Sequence, residues 1–340
     1  MTALALLLPS LQHVLTLTDD VGIIQHAREN VPNRSTGYCT DDVARALIVA
    51  LMRLRCVEDD VEAWRLVSIY LAYLCDAQTS DGRFRNFMSY ERAWLDDLGS
   101  HDSVGRAIWS LGYGVRFAPD AAWRRVCAGM LERTLASIDW LTPLRAQAYA
   151  ILGLAHAVEH DGGSASLAAL RALAKSLASA YEHERGEGWE WFEAVMTYDN
   201  ARLPEALLRA GAALDDPGLI AIGQTSLAFL EHVVFEAGIF VPIGNAGWFP
   251  RGGPRARYAQ QPLEASAMID AELAAFAAFG DPAHRDAAHA AAAWYLGKNL
   301  GGVVMAHGGG CYDGLEADGP NRNMGAESTL AYLAAAYALE

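Results

Sequence analysis

Acidic residues recur where a polar stretch gives way to a run of small and apolar residues: Asp41 and Asp42, Asp102, Asp199, Glu264 and Glu327. A pair of carboxyl groups facing one another can cleave a glycosidic bond, one as proton donor and the other as base or nucleophile. The same residue types are also favoured at helix starts, where they accept from free backbone N–H groups and complement the helix dipole. Any one of them alone reads as a helix-start residue. As a set, flanked by Tyr, His, Asn and Gln, they read as candidates for acid–base work, and the helices between them start less consistently with acids. Asp199 and Glu264 lead. Their contexts, Tyr198-Asp199-Asn200 and Gln260-Gln261-Pro262-Leu263-Glu264, supply neighbours able to orient a carboxylate.

Around these acids stand residues suited to gripping sugars. Aromatic faces for stacking come from Tyr38, Trp189, Trp191, Tyr198, Trp248 and Tyr312. Hydroxyl-binding groups come from Asp41, Arg85, His101, Asn200, Arg202, Gln261, Asp313 and Asn323. Arg45, Arg106 and Arg202 follow an acid by three or four positions, a spacing that pairs them on one helix face. His101 and His307 offer a different chemistry, proton transfer in a sugar epimerase or isomerase. Cys39 and Cys311 lack the basic neighbours that mark a thiolate nucleophile.

Positioning such scattered acids requires a fold that brings their helix starts together. Six segments share one grammar, a polar start followed by an apolar helix rich in small residues, with a mean spacing of about 57 residues. That period holds two helices of roughly 15 residues and their loops. Val43–Met52 is apolar on nearly every side and predicts a buried helix, whereas 62–74 and 121–138 carry one charged face each and 287–296 reads as amphipathic. The expected architecture is all-α: residues 1–340 as a single (α/α)6 barrel of six helical hairpins, with long loops around one pocket. Gly238–Ile243 is the best extended candidate, as half of a hairpin.

Composition narrows the partners. The 340 residues carry a net charge of −15, which argues against a phosphate backbone or an anionic membrane surface as partner. No apolar run is long enough to span a bilayer, and the apolar stretch Met1–Pro9 lacks the basic start of a secretion signal. Five scattered cysteines without a CxxC pair predict reduced thiols and a cytoplasmic protein. No cluster has zinc spacing, and no glycine-rich loop opens a helix after a strand, so neither a metal nor another cofactor is expected.

Several motifs together resemble bacterial proteins of the six-hairpin glycosidase-like superfamily. They are Gly22-Ile23-Ile24-Gln25-His26-Ala27, Gly37-Tyr38-Cys39-Thr40-Asp41-Asp42, Arg83-Phe84-Arg85-Asn86-Phe87, Asp102-Ser103-Val104-Gly105-Arg106, Thr197-Tyr198-Asp199-Asn200-Ala201-Arg202, Gln260-Gln261-Pro262-Leu263-Glu264 and Gly310-Cys311-Tyr312-Asp313-Gly314 with Gly325-Ala326-Glu327. They span nearly the whole chain. The group is associated with group-1-type glycosyltransferases and mannoside-processing genes. The resemblance implies a barrel acting on carbohydrate, most simply an inverting glycoside hydrolase on a short oligosaccharide. Its alternatives are the epimerase and a non-catalytic saccharide-binding partner of a glycosyltransferase. The chain departs from the pattern twice: His101 stands where an acid is common and Val104 where a histidine is common.

Overall fold

The computed structural model describes residues 8–340; all but the end of the Met1–Pro9 stretch lies outside them. Twelve α-helices carry the architecture. They are α1 (Gln12–Leu17), α2 (Thr40–Cys56), α3 (Val61–Ala77), α4 (His101–Phe117), α5 (Ala121–Leu135), α6 (Leu144–Asp161), α7 (Ser164–Glu184), α8 (Arg202–Leu214), α9 (Pro217–Val234), α10 (Pro262–Phe279), α11 (Pro282–Ala292) and α12 (Ala326–Ala338). The even-numbered helices form an inner ring, each packed on the next, and α12 packs on α2 to close it. The odd-numbered helices back this ring, with α1 behind α12. The expected six-hairpin all-α barrel is borne out. Among the described residues no helix is long and apolar enough to cross a membrane.

Small residues explain the tight inner ring. A Cβ on Gly112 of α4 would collide with the Gly153 carbonyl of α6, and one on Gly153 would collide with the Ile108 carbonyl. Only glycine lets these two backbones approach so closely. Leu47, Leu51, Leu111, Ile151, Leu207 and Ile269 fill the space between rings and are essentially inaccessible to solvent.

Helix starts differ from the sequence expectation in one instructive way. The outer helices α3, α5, α9 and α11 are capped by Asp60, Asp120, Asp216 and Asp281. Acidic starts are therefore common in both rings. The inner helices α2 and α4 are capped by the Cys39 sulfur and the Ser100 hydroxyl instead. Their acids, Asp41, Asp42 and Asp102, sit inside the first turn, with side chains engaged elsewhere.

The two mouths of the barrel are unequal. At the C-terminal ends of the inner helices the connections are short: 57–60, 118–120, 162–163, 215–216 and 280–281. At their N-terminal ends the connections run 18–39, 78–100, 136–143, 185–201, 235–261 and 293–325. These long loops carry the short strands, all in two-stranded antiparallel pieces. Some join neighbouring loops, as Tyr38–Cys39 does with Phe87–Met88 and Val195–Met196 with Phe249–Pro250. The extended segment expected near Gly238 is a hairpin pairing Phe235–Glu236 with Ile239–Phe240.

Candidate active site

Because the inner helices run parallel, their first turns converge at the long-loop mouth. A cavity of about 270 Å³ opens there, lined by Gln25, His26, Cys39, Asp41, Asp42, Asn86, Phe87, Gln261, Asp313 and Glu327. Four of its ten lining residues are acids, drawn from α2, α12 and the loop before α12.

Arg45, one turn into α2, organises three of them. Its Nη1 lies 3.0 Å from Asp42 Oδ1 and 3.4 Å from Asp41 Oδ2, and its Nη2 donates to Glu327 Oε2 at 2.6 Å. Asp41 also meets Arg106 Nε of α4 at 2.6 Å. The shared guanidinium does not treat the acids alike. Burial pushes Asp42 up to about 7, against the pull of Arg45 and with added repulsion from Asp41 and Glu327. The Asp42 side chain is only 8% exposed, whereas that of Glu327 is 35% exposed and reachable by water. Burial also raises Asp313, whose Oδ2 accepts from Asn323 Nδ2 at 3.1 Å. The same amide lies 3.1 Å from His26 Nδ1, and its Oδ1 accepts from the Ala27 N–H at 2.8 Å, joining the last long loop to the first.

Asp199 and Glu264 form the layer below. Asp199 has a left-handed backbone (φ 48°) and is buried. Its carboxylate accepts from the Tyr149 hydroxyl at 2.6 Å and lies 3.2 Å from Arg106 Nη2 and 3.5 Å from Arg202 Nε. Burial alone would raise its pKa, but Arg106 and Arg202 outweigh burial and lower it. Glu264 accepts from the Asp199 N–H, the Asn200 N–H and the Asn200 side chain, so it holds the turn that starts α8. Burial and the Asp199 charge push it up to about 8. Asp199 borders a small apolar void on the barrel axis, not the acidic cavity. Below it Arg202 pairs with Glu205 and Asp270 at 2.6 and 2.7 Å. A ladder of alternating charge thus runs from Glu327 through Arg45, Asp41, Arg106, Asp199 and Arg202 to Asp270.

The other sequence candidates divide. Gln261 and Asp313 line the cavity, and Asn323 braces it. Asp102 stands on its own side of the mouth, accepting from the Tyr198 hydroxyl at 2.6 Å. Tyr198 lies under the Arg145 guanidinium, and Arg145 also reaches Asn200. Arg85 covers Trp94. Tyr38 is buried and donates to Asp19 at 2.6 Å. Trp189 and Trp191 are core residues, 3% and 0% exposed and packed on Phe229, Phe249 and Phe192. They anchor their loop and offer no open face to a sugar. Trp248 is exposed on the 235–261 loop. His101 stacks on Trp140 at 3.8 Å, whereas His307 is bonded to the Val304 carbonyl and packs beside Tyr312. Neither histidine lines the acidic cavity. Gln25, His26, Asn86 and Phe87 do, and of these Gln25 and His26 were visible only as part of the Gly22–Ala27 motif. All five cysteines are free.

No protein-family model matches the chain, and no curated protein matches it. Solved structures do. A sugar epimerase from a ruminal bacterium superposes with a TM-score of 0.74 at 12% identity, over 96% of this chain and 95% of that one. Cellobiose 2-epimerase from Bacillus thermoamylovorans gives 0.74 at 11% identity, over 97% and 94%. The GH76 α-mannanase of Bacteroides thetaiotaomicron gives 0.70 at 9% identity, over 97% and 92%. The shared feature is the closed six-hairpin ring. At such identities the likeness is one of fold, and function must be argued from the site.

Proposed function

We propose that the protein is a glycoside hydrolase acting on a short oligosaccharide, with Asp42 as proton donor and Glu327 as the base. The observation that carries this reading is one guanidinium holding two carboxyl groups of opposite character at a cavity wall. Asp42 keeps its proton near neutrality because it is buried, while Glu327 is solvent-reachable and paired with Arg45. A buried acid that keeps its proton, beside a carboxyl group open to water, is the asymmetry that acid and base roles call for. The bonds of 3.0 and 2.6 Å to Arg45, with a guanidinium breadth of roughly 2.3 Å, keep the two bonded oxygens within about 8 Å. Inverting pairs stand about 6.5–9.5 Å apart and retaining pairs about 5–5.5 Å. That upper limit admits either arrangement, and we favour inversion because Glu327 is 35% exposed and open to the water it would activate. Asp41, Asp313, Gln261 and Asn86 are the hydroxyl-binding groups of this scheme, and Asp199 with Glu264 are its positioning residues.

A second reading, an epimerase or isomerase, is favoured by the activities named for several fold neighbours. With His101 and His307 as its groups, it needs chemistry outside the acidic cavity. One assay separates the two. A panel of mannosides and glucosides is incubated with the protein and products are followed by NMR. Hydrolysis gives two smaller sugars, and the first-formed anomer reports inversion or retention. Epimerisation gives a product of unchanged mass. Turnover of a glycoside that survives in both Asp42→Asn and Glu327→Gln would sink the carboxyl-pair reading.

A further inference from the structure

Away from the acidic cavity, three side chains converge from three successive helices: Glu231 in the last turn of α9, Glu272 within α10 and His284 in the first turn of α11. One donor atom from each lies within 4.8 Å of the other two. His284 Nδ1 stands 2.7 Å from Glu272 Oε2 and 3.7 Å from Glu231 Oε1. Glu272 is fully buried, and its Oε1 has no hydrogen-bond partner. A buried oxygen left this way costs on the order of 1–3 kcal/mol, more if charged. The two carboxyl groups and the imidazole face one another across a gap that a cation can occupy in place of a shared proton.

We infer that Glu231, Glu272 and His284 bind one divalent transition-metal ion of the zinc type. Imidazole with carboxylates is a donor set that suits zinc. Bonds of about 2.0–2.2 Å in a tetrahedron set donor atoms roughly 3.3–3.5 Å apart. The observed separations of 2.7 and 3.7 Å straddle that value and the third is within 4.8 Å, so side-chain shifts of about an ångström bring the three donors to it. Glu231 and His284 side chains are 29% and 17% exposed, which gives the ion a way in and leaves a position for water. Glu272 lies two helical turns beyond Glu264, roughly 12 Å further along α10. The ion therefore ties outer helices α9 and α11 to inner helix α10, a structural role remote from the acidic cavity. Its ligands fall on three separate helices, so no compact sequence motif announces them.

The test uses the full chain, treated with EDTA, dialysed, and alkylated at its exposed thiols Cys56 and Cys75. Zinc chloride is titrated by calorimetry, and melting is followed with and without it. The expected result is one zinc per chain and a raised melting temperature. Glu272→Gln and His284→Ala should each weaken that binding at least tenfold and abolish the rise in melting temperature. His284→Ala replaces a partly exposed residue and keeps the test decisive if Glu272→Gln does not fold. Absence of saturable binding to the wild-type chain, or unchanged binding in His284→Ala, overturns the proposal.

Discussion

Replacing Asp42 by Asn separates a catalytic acid from a structural one. Asn keeps the shape and neutrality of a protonated Asp42 but cannot give up a proton. Asp42 has a folded pKa of about 7 against 3.8 for an unperturbed Asp. Between those values the native state holds a proton that the unfolded chain has released, so the contribution of Asp42 to stability falls as pH rises, and the loss is complete above about pH 7. A gap of about 3 units corresponds to about 4 kcal/mol at pH 8. Asn escapes that cost. The variant should therefore be more stable than wild type by up to about 4 kcal/mol at pH 8, and by less than half of that at pH 5. With an unfolding entropy of about 2.1 cal/mol/K per residue, the pH 8 difference amounts to roughly 6 °C in melting temperature. Turnover should fall by about 10²–10⁴-fold, the usual worth of a general acid. The assays are calorimetric melts from pH 5 to pH 8 and initial rates on the glycoside that the panel identifies. A stability gain that does not grow with pH, or near-normal turnover, would refute the assignment.

Three further outcomes are expected. Glu327→Gln should lose about 10²–10⁴-fold in turnover while stability changes by no more than about 1 kcal/mol, because the group is part-exposed; rates and melts on one preparation check this. Asp199→Asn should do the opposite of Asp42→Asn and destabilise by roughly 3–5 kcal/mol, since Arg106 and Arg202 would be left as underpaired buried charges; a rise in its melting temperature would contradict the ion-pair assignment. Trp191→Ala should cost about 3–5 kcal/mol as a core truncation, yet leave KM unchanged in the folded fraction, because the ring does not face the cavity.

The ring of hairpins was legible because it is written in periodicity. Small residues through α2, α4 and α12 mark helices buried on all sides, and the charged faces of α3, α5 and α11 mark the outer ring. The convergence of Asp41, Asp42 and Glu327 followed from closing that ring. Depth along the axis was not legible. Asp199 and Glu264 stand at the starts of α8 and α10 in the same grammar as Asp42, but Asp199 turns to Arg106 and Arg202 and Glu264 to the Asp199–Asn200 turn, and a helix-start pattern carries no record of those partners. Trp189 and Trp191 look like a sugar platform in sequence because loop aromatics that pin and loop aromatics that stack are the same residues. Only burial against Phe192, Phe229 and Phe249 tells them apart. The role of Arg45 was half visible: its pairing with Asp41 and Asp42 is a matter of helix spacing, whereas its bond to Glu327 spans the chain.

The charge ladder down the barrel axis constrains how this molecule can change over generations. Each rung is balanced by the rungs above and below it, from Glu327 at the mouth to Asp270 near the far end. Exchange of Arg106, Asp199 or Arg202 strands a charge in the nearly inaccessible middle of the ladder. Compensation must come from a neighbouring helix, since Arg45, Arg106 and Arg202 belong to α2, α4 and α8. Substitutions here should therefore arrive in pairs that join distant parts of the chain. In an alignment of descendants, positions 41 and 106, 106 and 199, and 202 and 270 should drift together while the loops around them diverge freely.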